Sequence, residues 1–210
     1  MKDIKLVNKK ILWEKSKILY KYSPDENFEK DWDIKAGEWC YKDGYLIGKE
    51  TGNKGGIMWY KEKFNKPVMI TFTVSTVAPA TRDLNAVFCA NWDESKNDLG
   101  DSYVCGLNGW YENKAGVERN VLGGGCAFCS LTGNYKYEPG TEIRMTAGAI
   151  NGHIFMVVDD VLVSEHIEKT DYITSGHVGF SPYCTILKIK DIEIREIYWE
   201  DFHDYYVPEF

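Results

Sequence analysis

What the sequence lacks narrows its classes before anything else is read. No apolar run approaches the roughly 20 residues of a membrane-spanning helix, and a helical repeat of apolar positions is hard to find anywhere in the 210 residues. Positive charge is in short supply: 25 Lys and Arg stand against 32 Asp and Glu, a net charge of −7. A phosphate backbone is gripped by a basic surface, so neither nucleic acid nor a membrane is an expected partner. Histidine is scarce as well. His153, His166, His177 and His203 show neither HxxxH nor HExxH spacing, and Cys126-Ala127-Phe128-Cys129 has no second CxxC to complete a zinc site. Asp-rich turns such as Asp159-Asp160 read as solvated carboxylates rather than calcium ligands. The sequence therefore predicts no metal and no cofactor. Residues Met1 to Lys10 carry lysines without the apolar stretch and small-residue cleavage site of an export signal, so the expected compartment is the cytoplasm and the six cysteines are expected to be reduced.

What is present points to strands. Hydrophobic residues make up 44% of the chain and charged residues 27%, enough apolar surface for a core and too little net charge for disorder. Short alternating segments separated by Gly, Asn, Asp and Pro recur along nearly the whole length, with Asp43-Gly44 and Asn151-Gly152 as hairpin turns. Val68 to Val77 alternates apolar residues with Thr and Ser, which predicts a central strand with one face of hydroxyls. Ile186 to Ile197 alternates Ile and Leu with charged residues and predicts a strand with one face in water. Trp92 to Asp98 reads as an acidic surface loop. With roughly a dozen or more strands and no visible linker, the expectation is one all-β domain over residues 1–210, a two-sheet antiparallel β-sandwich of the jelly-roll type.

Thirty aromatic residues in so acidic a chain suggest stacking platforms for sugars. The densest mixture of aromatic and polar residues is Tyr103 to Asn120. On a strand, Tyr103, Cys105 and Leu107 face one way, whereas Val104, Gly106, Asn108 and Trp110 face the other, leaving space beside an aromatic where a ring can lie. The candidate binding residues are Asn85, Tyr103, Asn108, Trp110, Asn113, Lys114 and Trp59. Asn85 is included because a polar residue inside an apolar strand needs a partner. For chemistry the candidates are Glu118 as base, Arg119 to hold developing negative charge and Tyr111 as proton carrier. The carboxylates of Asp191 to Glu196 read as the solvated face of an outer strand rather than a glycosidase ladder.

The order of segments Gly37-Glu38-Trp39 with Asp43-Gly44, then Asp83-Leu84-Asn85 to Trp92, then Gly109-Trp110 with Asn113-Lys114 and Arg119, then a meander with Ile154 to Val163 and a closing Val178 to Tyr183 and Lys188 to Ile197, resembles the YesU-type family of unknown function in the concanavalin A-like lectin/glucanase superfamily. The resemblance covers about Leu19 to Ile197. It implies a jelly roll with carbohydrate on its concave sheet, in bacterial polysaccharide utilisation with pectin as a recurring context. Where the family often has a small hydroxyl residue after the Asn-Lys pair, this chain has Ala115-Gly116. The expected function is thus a carbohydrate-active protein of hydrolase or lyase type. The alternatives are a non-catalytic carbohydrate-binding module and an interaction domain using Trp199, Phe202, Tyr205, Tyr206 and Phe210.

Overall fold

The computed structural model describes residues 2–52, 55–110, 112–121 and 125–202, with the backbone alone for 125–128. Tyr111, His203, Tyr205, Tyr206 and Phe210 lie outside the described residues. The strands in chain order are β1 (Ile4–Lys5), β2 (Lys9–Ile11), β3 (Lys17–Tyr22), β4 (Trp32–Ala36), β5 (Glu38–Lys42), β6 (Tyr45–Lys49), β7 (Ile57–Tyr60), β8 (Val68–Thr76), β9 (Leu84–Ala90) and β10 (Trp92–Asp93). They continue with β11 (Asp98–Leu99), β12 (Ser102–Leu107), β13 (Ala115–Val121), β14 (Gly125–Thr132), β15 (Ile143–Ile150), β16 (His153–Val158), β17 (Val161–Ile167), β18 (His177–Phe180), β19 (Ile186–Glu196) and β20 (Trp199–Asp201). Among the described residues the only helical turns are two short 3₁₀ segments, and no helix is long and apolar enough to cross a membrane.

Two antiparallel sheets face each other. One runs β14-β13-β12-β9-β18-β7-β4, the other β17-β16-β15-β8-β19-β6-β5 with β3 added on β19. The period-2 alternation of strand side chains fills the space between them. Leu84, Ala86 and Phe88 of β9 and Tyr103, Cys105 and Leu107 of β12 meet Ile70, Phe72 and Val74 of β8 and Ile154, Met156 and Val158 of β16. In this core Trp32 stacks on Phe180 with ring centroids 5.3 Å apart, and Phe72 meets Phe180 edge-on at 4.9 Å. The hairpins at Asp43-Gly44 and Asn151-Gly152 form in the expected register, Lys42 opposite Tyr45 and Ile150 opposite His153.

Three expectations need correction. β8 is buried on both faces, because a small sheet of order β1-β2-β20 covers its outer side around Met69. Thr71 and Thr146 share a hydrogen bond of 2.9 Å within the sheet, whereas Ser75 Oγ is buried without a partner. Secondly, β19 is not one uninterrupted alternation. Its register with β8 shifts between Lys190 and Glu193, where Asp191 takes φ of +52°. Past that bulge the buried Glu193 pairs with the half-buried Arg195 beneath the N-terminal segment, the Arg195 guanidinium 4.4 Å from the Trp13 ring centre, rather than facing water. Thirdly, Trp92 to Asp98 is not a free loop. Trp92 pairs with Leu99 and Asp93 with Asp98, and the β10-β11 hairpin packs against the outer face of the seven-stranded sheet through Ile57, Trp59, Val87 and Ala90. Cys40, Cys89, Cys105 and Cys184 are free thiols.

Candidate functional site

The alternation that sends Leu84, Ala86 and Tyr103 inward turns Asn85, Val104, Gly106, Gly116 and Glu118 to the outer face of the seven-stranded sheet. There the β10-β11 hairpin forms one wall of a cleft of about 520 Å³. Arg82, Asp83, Asn85, Trp110, Glu118 and Asn120 line it from the sheet side, and Asp93, Lys96 and Asp98 from the hairpin. The volume is that of an ordinary small-ligand site.

The floor is made by glycine. Gly106 and Gly116 are opposite one another on β12 and β13, and the Trp110 indole lies over both: a Cβ at either would stand 3.0 Å from Trp110 Cζ3. The space that the sequence offered to a sugar ring is therefore occupied by the protein's own ring, which presents itself to the cleft. The indole is fixed by its Nε1, which donates to Glu118 Oε2 at 2.5 Å.

Behind this ring, Asn85 donates through Nδ2 to the Ser181 carbonyl at 3.0 Å and to Asp83 Oδ1 at 3.4 Å, while its own Oδ1 is buried without a donor. Asp83 is 4% exposed and accepts from Arg82 Nε at 2.8 Å. Burial pushes the Asp83 carboxyl above the usual carboxylate range, and Arg82 opposes that shift. Arg82 also donates to the Gly109 carbonyl, which ties the Trp110 segment to the head of β9.

The predicted residues separate into distinct places. Asn85, Trp110 and Glu118 come together in the cleft. Arg119, adjacent to Glu118 on a strand, necessarily points the other way and lies inside the sandwich edge with Tyr103. There Arg119 donates to Glu168 Oε1 at 2.9 Å and to the Asp171 carbonyl at 2.6 Å, and the fully buried Tyr103 hydroxyl donates to Glu168 Oε2. Glu118 and Arg119 thus do not share a site. Asn108 shapes the turn that carries Trp110: its Nδ2 donates to the Thr81 carbonyl at 2.8 Å and its Oδ1 accepts from the Asn113 amide at 2.6 Å. Asn108 and Asn113 both adopt positive φ, the left-handed conformation that Asn tolerates. They border a second depression with Arg82 and Glu112. Lys114 lies beside Gly133. Trp59 is 3% exposed beneath the hairpin, stacked on His177 at 4.8 Å and edge-on to Trp92 at 6.2 Å. Sequence reasoning did not select Arg82, Asp83, Asp93, Lys96, Asp98 or Asn120 as site residues. Asn120 follows from Glu118 by strand alternation, whereas the hairpin residues are brought there by tertiary packing alone.

No family model matches the chain, and no curated protein matches it. Solved structures do. A protein of unknown function with a galectin-like fold from Bacillus subtilis superposes with a TM-score of 0.69 at 14% identity, covering 86% of this chain and 96% of that one. The carbohydrate-binding module CBM66 from Bacillus subtilis gives 0.64 at 10% identity over 79% of this chain and 95% of the module. The exoplasmic/lumenal domain of VIP36, in a form bound to Ca²⁺ and Man3GlcNAc, gives 0.59 at 12% identity over 94% and 92%. At these identities the likeness is one of fold: a lectin-like jelly roll.

Proposed function

We propose that this lectin-like sandwich binds carbohydrate in the cleft on the outer face of its seven-stranded sheet. The observation that carries the reading is the Trp110 indole, packed over a glycine floor in a cleft that Glu118, Asn120, Asp83, Arg82 and Lys96 also line. An aromatic face takes the C–H side of a sugar, and charged or amide groups around it take the hydroxyls. Two of the sandwiches with this fold are described by their carbohydrate binding, which supports the same ligand class here. The resemblance to the YesU-type family directs the choice of ligands towards pectic oligosaccharides.

Isothermal titration with a panel of pectic and host-glycan oligosaccharides tests the proposal. Saturable binding by the wild type is expected, weakened about tenfold in Trp110→Ala. No binding across the panel, or equal binding by that variant, would overturn it.

A second reading, bond cleavage, is favoured by one observation: Asp83, with its raised carboxyl, and Glu118 line the same cleft. Hydrolysis of a glycosidic bond needs an acid of raised pKa and a second carboxylate. β-Elimination is less well served, since Arg119 lies on the opposite side of β13 from Glu118. Released sugar with the wild type, lost in Asp83→Asn and Glu118→Gln, would establish cleavage. Binding without products from any ligand leaves the binding module.

A further inference from the structure

The two sheets meet along one side, where their edge strands β14 and β17 lie against each other. Ser130 and Ser164 share a hydrogen bond of 2.9 Å, Thr132 donates to the Val163 carbonyl, and Asn134 donates to the Leu162 carbonyl at 3.0 Å. Next to Ser130 along this seam stands Cys129. Facing it from the other sheet are His166 of β17 and Glu168 just beyond that strand. One ligand atom from each of the three lies within 4.8 Å of the others, and His166 Nε2 is 4.0 Å from Glu168 Oε1.

We propose that Cys129, His166 and Glu168 form a site for a zinc-type divalent cation that joins the two sheets at this seam. The donor set decides the class of metal. One sulfur, one imidazole nitrogen and one carboxylate oxygen suit Zn²⁺ or Co²⁺, whereas Ca²⁺ and Mg²⁺ take oxygen shells. Three protein ligands leave a fourth position open, and His166 and Cys129 are partly exposed, which supplies an entry path.

The surroundings supply the outer support that metal-bound carboxylates use. Glu168 is held at both oxygens, Oε1 by the Arg119 guanidinium and Oε2 by the Tyr103 hydroxyl, and the Tyr103 hydroxyl itself accepts from the Ile173 amide at 3.0 Å. Burial, with the Glu168 charge beside it, holds the Cys129 thiol above its ordinary value, so a bound cation must displace the thiol proton. Ligand atoms about 2.0–2.3 Å from a tetrahedral metal lie roughly 3.3–3.8 Å from one another. The 4.0 Å between His166 Nε2 and Glu168 Oε1 is wider, so closure on a metal asks the ligands to draw together by up to about an ångström. Arg119 opposes a cation by charge: its Nη1 donates at 2.9 Å to the same Glu168 Oε1 that stands 4.0 Å from His166 Nε2, so a bound cation shares that oxygen with the guanidinium or displaces it.

Co²⁺ titration of the full chain, in a background carrying Cys40→Ser and Cys184→Ser, tests this directly. A thiolate-to-cobalt charge-transfer band saturating at one equivalent and bleached by Zn²⁺ is expected. Cys129→Ser removes that band, and His166→Gln weakens Zn²⁺ binding at least about 100-fold. Zn²⁺ also raises the melting temperature of the parent but not of Cys129→Ser, as binding to the folded state alone requires. No band in the parent, or a band that survives Cys129→Ser and disappears in Cys126→Ser, overturns the assignment. Variants that melt like the parent without metal confirm that ligation rather than folding has been changed.

Discussion

A methyl group at position 106 would collide with Asn85 Oδ1 and stand 2.9 Å from Trp110 Cη2, so the indole comes this close to the sheet only because that position is glycine. Gly106→Ala is expected to lift or tilt the ring and to destabilise the protein by about 1–3 kcal/mol, the usual scale of overpacking. Urea denaturation measures the second effect and sugar titration the first, with ligand binding falling even where the variant remains folded. The same scale shows which residues were legible. Alternation along Tyr103 to Leu107 correctly divides core from outer face, and the same rule separates Glu118 from Arg119, which were nevertheless grouped because their chemistry is complementary. The buried role of Tyr103 was hidden for another reason: its partner Glu168 comes from a distant part of the chain.

At the scale of elements, β18 carries a comparable constraint within the seven-stranded sheet. A Cβ at Gly179 would strike the Met58 carbonyl oxygen and approach Trp59 Cα to 2.5 Å, and backbone of the neighbouring strand has no rotamer by which to yield. Gly179→Ala should cost about 3 kcal/mol or more, above Gly106→Ala, by loosening β18 from β7. Equilibrium denaturation of the two variants side by side checks the order. Hairpins with two-residue Asp-Gly or Asn-Gly turns were readable because the turn chemistry is local. The β10-β11 hairpin was not, since its strands are two residues each and its packing on Trp59 and Val87 is set by the rest of the fold. The bulge at Asp191 was hidden by the unbroken alternation of Ile with charge around it.

For the whole molecule, acid is expected to act through two imidazoles, one in each large sheet. Burial lowers His153, with Glu165 opposing through a 2.9 Å contact and Lys9 and His166 adding nearby positive charge. Burial likewise lowers His177, with the Tyr60 carbonyl opposing at 3.0 Å. Both are therefore held neutral in the folded state, while the unfolded chain takes up protons near the ordinary value of about 6.5. The unfolded state then binds more protons, so stability is full above about pH 6.5 and falls as pH drops towards the folded values. Melting temperatures measured from pH 7.5 down to 5 should decline, and His153→Gln with His177→Gln should flatten the slope. Residues 1–210 as one domain predicts, in addition, a single cooperative transition by fluorescence and circular dichroism together.

The hairpin of β10 and β11 has a consequence for the kind of ligand. By crossing the outer face over Trp59 and Val87 while Asp93, Lys96 and Asp98 reach the cleft, it gives the sheet's open face a wall. On the proposed carbohydrate reading, such a wall would favour the end of a glycan over its middle. Binding would be counted per chain end rather than per unit of length, and a polymer cut into shorter pieces would compete better, mass for mass, than the intact polymer.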